Sequence, residues 1–417
     1  MKKGLLTVLL ILLVPFCLMA NGAQEAEVVE DAPIKIGMMF ARSGALGLMG
    51  EESLQAGLIA IEQINARGGI NGRMLEPVIA DVPDTTAAQS EANRLCQKEG
   101  VKIFLGTYGS SLSSVMTGVI NRNGGYYMEV ISVADGITDR DMDGIYRLHF
   151  KGSEMGKSAI DFLAELCDKE DIAYSDVNLS LFYENSDFGM STGIGYNIGA
   201  EKYGMNVVVD ESYSKDTPDT SPLVLKAKDA GANFVVMTPY INDAINFVNN
   251  SKNLNFAPLG FLGLGTGFSL PVFWETLGED AQGMFDCDPL QTPSLETMLP
   301  SMVEPYNEFA GIVQERLDHD PIVVNMLTWQ AMWLLANHVM MVAEDPEDID
   351  ELIAITDKLD FPAGSLPTGH GVSFDSTGQN SRCQIGGMQW QDGKLVNVYP
   401  EAMATNEVVD FPFAGWE

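Results

Sequence analysis

The stretch Ile34–Ser114, IKIGMMFARSGALGLMGEESLQAGLIAIEQINARGGINGRMLEPVIADVPDTTAAQSEANRLCQKEGVKIFLGTYGSSLSS, reads as strand, loop, helix, strand, helix, strand, loop. Ile34, Ile36, Met38 and Met39 form an apolar run too short for a helix, closed by Ala41-Arg42-Ser43-Gly44-Ala45. Over 51–66 the apolar positions Leu54, Leu58, Ile61 and Ile64 recur at three- and four-residue steps, which is one helix face. Gly68 and Gly69 stop that helix, because glycine takes the left-handed backbone a helix end needs. The spacing then predicts a strand over 75–80, a helix over 86–98 and a strand over 101–105. Such alternation means a parallel sheet covered by helices on both faces. Ligands of such sheets sit beyond the carboxyl ends of the strands. Here those ends carry the loops 41–47 and 106–111.

Further along, apolar runs predict strands over 126–133 and 145–150 and a helix over 152–167. Residues 134–136 close the first of these strands as a third loop on the same edge. The alternation then restarts, with strands over 177–183, 205–212, 234–238 and 259–264. Between them lie helices over 192–203, 222–230 and 244–253, with loops at 184–191 and 239–243. The chain thus holds two successive β/α units of similar build. Later come helices over 299–317, 323–343 and 353–359, and a hairpin of 384–390 with 396–399 about Asp392-Gly393.

A chain of 417 residues is long enough for two domains. Its 46% hydrophobic and 20% charged content is that of a globular protein. The net charge of -34 repels nucleic-acid phosphates and excludes nucleic acid as a partner. Lys2 and Lys3 before an apolar run to Ala20 read as a signal peptide over 1–20, so the mature chain is expected to be periplasmic or secreted. Residues 21–32 read as a flexible leader. Cys17 is an alternative lipid anchor, although Phe16 stands where such sites want a small residue. Cys96, Cys167, Cys287 and Cys383 are far apart and form no CxxC pair, so neither a metal nor a cofactor is expected.

Catalytic motifs are missing. None of the four histidines stands beside a plausible nucleophile, and there is no GxSxG elbow or phosphate loop. The positive signal is Gly106-Thr107-Tyr108-Gly109-Ser110-Ser111, which follows a strand and opens a helix. Unpaired N–H groups at Ser110 and Ser111 attract a carboxylate. The bland alternative is that Ser110 only caps the helix.

Gly57-Leu58, Asn65-Ala66-Arg67-Gly68-Gly69-Ile70-Asn71-Gly72-Arg73, the Gly106–Ser111 step, Ser212-Tyr213-Ser214, Asp219-Thr220 and Gly371-Val372-Ser373-Phe374-Asp375 fall in order along the chain. Together they resemble the branched-chain amino-acid (Leu/Ile/Val) type of periplasmic solute-binding protein that serves ABC transporters, over roughly 33–400. The segment 127–140 resembles a divergent branch whose ligands differ. The resemblance implies an α/β fold of two doubly wound parallel-sheet lobes joined by three hinge crossings, near 147–152, 265–271 and 375–382. Lobe 1 would hold 33–148 and 271–379, lobe 2 would hold 149–270 and 380–404, and 405–417 would be a tail.

By the same resemblance Ser110 holds a ligand carboxylate, the Ala134 backbone contacts the ligand, and Phe188 and Tyr240 come from the second lobe. Tyr108, Gly109, Ser111 and Ser43 complete the expected set, with Asp135, Gly136 and Gly265. Gly136 replaces a usual threonine, Met49 a usual aromatic, and Gly265 the acid that pairs with an α-ammonium. Either Asp135 or Glu129 supplies that charge, or the ligand is not an α-amino acid; Glu129 could also pair with Arg147. The expected protein is a monomeric receptor without enzymatic activity. It captures an amino acid, an amide or a related polar or aromatic acid and delivers it to a membrane permease. Rival readings are a sensing module of a membrane signalling receptor and an exported hydrolase.

Overall fold

The computed structural model describes residues 32–416 apart from Asp216, Gln291, Thr292 and Ser294. The expected signal peptide, nearly all of the leader, and Cys17 lie outside the described residues. Five parallel strands, β1 (Ile34–Phe40), β2 (Leu75–Asp81), β3 (Ile103–Gly106), β4 (Tyr126–Glu129) and β5 (Ile145–Arg147), form a sheet ordered β2-β1-β3-β4-β5. Helices α1 (Gly47–Ala66), α2 (Thr85–Gln97) and α3 (Ser110–Arg122) connect them.

The second sheet begins after α4 (Gly152–Lys169) and is wound with α5 (Asp187–Tyr203), α6 (Ser221–Asp229) and α7 (Ile241–Asn253). Its strands are β6 (Asn178–Glu184), β7 (Asn206–Tyr213), β8 (Phe234–Thr238), β9 (Gly260–Leu264) and β10 (Phe285–Asp288). A hairpin of β11 (Gly386–Gln391) and β12 (Lys394–Tyr399) adds antiparallel to β10, giving the order β12-β11-β10-β9-β8-β6-β7. Short helices α8 (Thr266–Ser269) and α9 (Pro271–Leu277) separate β9 from β10.

Three long-range helices return to the first sheet: α10 (Pro300–Leu317), α11 (Val323–Leu334) and α12 (Ile349–Thr356). They bury Tyr306, Phe309, Trp329 and Trp333 with Ile36, Met38 and the inner face of α1, while α2 and α3 cover the opposite face. Trp329 donates from Nε1 to Gln63 Oε1 at 2.7 Å, which satisfies both polar groups inside that core. In the second lobe α4 and α5 cover one face of the sheet and α6 to α9 the other.

The differences from the expected elements have local causes. β4 stops at Glu129 instead of running to residue 133: the Val130 N–H still reaches the Gly106 carbonyl, but the Glu129 carboxylate takes the N–H groups of Ile131 and Ser132 out of the ladder. α1 starts four residues early: a Cβ on Gly50 would lie 1.7 Å from the Ala41 carbonyl oxygen, so glycine lets the first turn rest on the end of β1. α5 starts at Asp187, since the Ser186 hydroxyl caps the Phe188 N–H, and Phe188 rides a helix instead of a loop. α7 likewise begins earlier than the spacing predicts, at Ile241. The α-helical geometry of α11 ends at Leu334 and passes into a π turn over Leu335–Met340.

The expected second crossing at 265–271 is not one. β10 pairs parallel with β9, so 271–288 stays with the second sheet and the chain leaves it after Asp288. The four-residue β10 escaped the sequence because two of its residues are acids, which are depleted in strands. The expected C-terminal tail packs on the second sheet, with Phe411, Phe413 and Trp416 against Phe234, Phe261 and Phe285.

Candidate functional site

The carboxyl ends of β3, β4, β6, β8, β9 and β10 converge on one cavity of roughly 480 Å³ of non-atom space, counting its mouth. Both lobes line it.

On the first lobe the chain leaves β3 and turns into α3 through Gly109, whose φ of 127° is closed to ordinary side chains. That turn starts α3 at Ser110 on the cavity wall. Among the described residues neither the Ser110 nor the Ser111 N–H has an acceptor. The Ser110 hydroxyl accepts from the N–H groups of Val133 and Ala134, each at 3.2 Å. Ser110 therefore braces the segment after β4 and presents the start of α3 to the cavity; it does not cap the helix, whose N-cap position is Gly109.

Beneath this wall Glu129 is fully buried. Its Oε1 accepts from the N–H groups of Thr107, Val130, Ile131 and Ser132 at 2.8–3.0 Å. Its Oε2 accepts from the Tyr127 hydroxyl at 2.8 Å and from Ser113. Burial raises its pKa against the pull of these donors. A carboxylate so occupied has nothing left for a ligand. Nor does it bond Arg147, whose guanidinium reaches Gln379 Oε1 at 2.6 Å, the Ala134 carbonyl at 2.6 Å and Thr138 Oγ1 at 3.1 Å. Burial depresses the Arg147 pKa to about 10, while the charge of Glu129 partly restores it.

On the second lobe Phe188, Tyr240, Gly265 and Thr266 form the facing wall. The rings of Tyr108 and Tyr240 meet edge to face at 6.4 Å, and Phe188 and Tyr240 lie 5.9 Å apart. The Tyr108 hydroxyl bridges to Thr266 Oγ1 at 2.7 Å, joining the lobes across the cleft. Further joins are the Asp187 N–H to Ser111 Oγ at 3.4 Å and the Asp135 N–H to Ser191 Oγ at 3.1 Å. Gly265 has φ 77°, and a Cβ there would lie 3.2 Å from Phe188 Cζ. The backbone strains any side chain at this position, and its Cβ would press on the aromatic ring.

Six of the expected residues thus meet in the cavity: Tyr108, Gly109, Ser110, Phe188, Tyr240 and Gly265. Five do not line it. The Ser43 hydroxyl donates to Asp81 at 2.8 Å on an exposed loop. Ser111 and Asp135 are spent at the cleft margin, where Asp135 Oδ1 accepts the Ser153 N–H at 3.0 Å at the start of α4. The Ala134 carbonyl faces Arg147, and Gly136 lies beyond it in a short 3-10 turn.

The cavity also holds residues the sequence did not single out: Ile131, Ser132 and Val133 after β4, His149, Met155, Asp288, and Val323, Val324 and Leu327 at the start of α11. His149 Nδ1 lies 3.4 Å from His370 Nε2, and burial keeps both rings neutral, with His370 lowered to about 3. An apolar helix start leaves no polar signature in a sequence. The Asp-Cys-Asp-Pro run was the one visible pointer, and it reads more readily as a turn.

Among the described residues no group of three or more His, Cys, Asp or Glu side chains is placed to hold a metal ion, and no helix is long and apolar enough to cross a membrane. Cys96, Cys167, Cys287 and Cys383 are all free thiols.

The sequence profile of a family described as Periplasmic binding protein matches residues 33–394. The Leu/Ile/Val-binding protein homolog 8 of Brucella abortus (strain 2308) is 33% identical over 378 residues, covering 89% of this chain and 92% of that protein. The homolog 7 of Brucella suis biovar 1 is 32% identical, covering 91% and 94%. Among solved structures the fold is similar to the branched-chain amino acid transporter substrate binding protein LivJ of Streptococcus pneumoniae in complex with isoleucine. That match has a TM-score of 0.72 and 22% identity, covering 87% of this chain and 97% of that one. An R. palustris solute binding protein in complex with benzoate has a TM-score of 0.73 at 17% identity, covering 88% and 95%. These proteins are solute-binding proteins, not enzymes.

Proposed function

The chain belongs to the periplasmic binding protein family, of the Leu/Ile/Val-binding type, and we propose that it captures one small polar ligand in the cleft between its lobes and delivers it to an ABC permease. The ligand class is an amino acid, an amide or a related polar or aromatic acid. The observation that carries this reading is a single cavity walled by the amide end of α3 on one lobe and by Phe188 and Tyr240 on the other. A carboxylate on α3 is held by N–H groups that the protein does not use itself. The aromatic wall closes over the apolar part of the ligand. Because each lobe makes only half of the contacts, ligand favours the closed arrangement and shifts the hinge equilibrium toward it. The closed form is then the species that a permease distinguishes from the empty receptor. Affinity near micromolar corresponds to about -8 kcal/mol.

A thermal-shift screen of amino acids, amides and aromatic acids tests the reading. A true ligand at one hundred times its dissociation constant adds about 2.7 kcal/mol of stability. Ser110→Ala should then show two effects. Loss of the acceptor for two buried N–H groups lowers intrinsic stability by about 1–2 kcal/mol. The ligand-induced shift should also shrink or vanish, whereas Ser43→Ala should retain it in full. Undiminished ligand stabilisation of Ser110→Ala would place binding elsewhere, and stabilisation by no compound of the panel would refute the ligand class.

A further inference from the structure

Among the described residues the cavity lining contains one acid, and no lysine or arginine. Asp288 closes β10 and lines the cavity with its side chain only 4% exposed. Its Oδ2 accepts from the Ser269 hydroxyl at 3.1 Å, and among the described residues Oδ1 has no donor. No lysine or arginine lines the cavity, and the one ring nitrogen pair within reach, on His149, is neutral. Two residues earlier on the same face of β10 stands Asp286, fully buried, with neither carboxylate oxygen bonded. Burial raises the Asp286 pKa well above the usual carboxylate range, and a buried carboxylate is costly unless it takes up a proton or a positive charge compensates it. The positions at which the sequence led one to expect an anion are closed. Glu129 is saturated by its own backbone and hydroxyl donors, Asp135 is engaged at the start of α4, and Gly265 carries no side chain, on a backbone whose φ of 77° disfavours one.

We propose that Asp288 is the specificity-determining anion of the cleft: it pairs with a cationic nitrogen of the ligand, so the site selects small zwitterions and discriminates against plain carboxylic acids. The inference rests on the cleft-binding reading above and deepens it. A carboxylic acid without its own cation would add a further negative charge beside Asp288, with no lysine or arginine in the cavity lining to offset it. A zwitterion places its carboxylate at α3 and its ammonium at β10, on opposite walls of one cavity. Burial pushes the Asp288 carboxyl up to about 7, the condition of an acid waiting for a countercharge.

The test uses matched probes that differ by the ammonium group alone: isoleucine with 3-methylpentanoate, phenylalanine with 3-phenylpropanoate, and 4-aminobutanoate with butanoate. Titration calorimetry on the full mature chain should find at least one ammonium compound that binds, with its deaminated partner at least 100-fold weaker. In Asp288→Asn, which keeps the side-chain shape and the Ser269 contact, that preference should fall below 10-fold. The wild-type preference is informative even if the variant folds poorly, because it needs no substitution. Equal or tighter binding of a deaminated acid would overturn the inference while leaving the cleft reading standing, as would full discrimination retained by a folded Asp288→Asn. Failure of every pair to bind would overturn the amino-acid reading together with this inference.

Discussion

Replacing Arg147 with methionine is expected to lower the unfolding free energy by about 3–5 kcal/mol, the cost of removing one partner from a buried charged network. The guanidinium is fully buried where the chain leaves β5, and it ties three segments together. Its Nε donates to Gln379, which also donates from Nε2 to the His149 carbonyl at 2.8 Å; its Nη1 donates to the Ala134 carbonyl. Gln379 belongs to the later crossing, and the Arg147 backbone pairs with Gly378 and Asn380 on either side of it. Methionine fills much of the volume but leaves these acceptors unpaired, and it removes the positive charge on which Glu129 acts. Urea titration should show the drop as a lower midpoint at unchanged slope. A midpoint equal to wild type would mean that the two crossings are held together by backbone pairing alone.

Gly195→Val should be comparably severe, at about 3 kcal/mol or more. A Cβ on Gly195 of α5 would lie 2.0 Å from the Ser153 carbonyl oxygen and 2.7 Å from the Lys157 N, both backbone atoms of α4. Gly156 of α4 reciprocates, its Cβ position lying 2.2 Å from the Thr192 carbonyl oxygen. Backbone cannot step aside as a flexible side chain does, so valine would force apart the two helices that cover one face of the second sheet. Gly136→Ala is the matching control: nothing lies within 4 Å of the added Cβ. A thermal melt should lower Tm by several degrees for the first substitution and hardly move it for the second. Equal melting temperatures would show that the helices are not packed backbone to backbone.

The doubled β/α alternation was legible because hydrophobic periodicity is local, and β8 at Phe234–Thr238 coincides with the strand expected from the apolar run Phe234–Met237. The cleft was legible in part. A glycine step opening a helix marks the α3 wall in any such sheet, whereas Phe188 and Tyr240 stood out only through resemblance to a known family. What the sequence could not carry was three-dimensional bookkeeping. Glu129 looks like a free acid until its donors arrive from β3, α3 and its own loop. Gly265 looks like a lost charge until its φ and the nearby Phe188 ring show that a side chain there would be strained. Asp288 sat in a segment too short and too acidic to read as a strand, so the one anion facing the cavity went unnoticed.

Small-angle X-ray scattering of the purified chain, titrated with the compound that most raises its Tm, bears most directly on two lobes gripping one molecule. The radius of gyration should fall as ligand is added and level off at one equivalent per chain, because the contacts across the cleft from Tyr108 to Thr266 and from Asp187 to Ser111 form fully only when the lobes meet. A radius that stays constant while calorimetry shows the site filled would contradict closure.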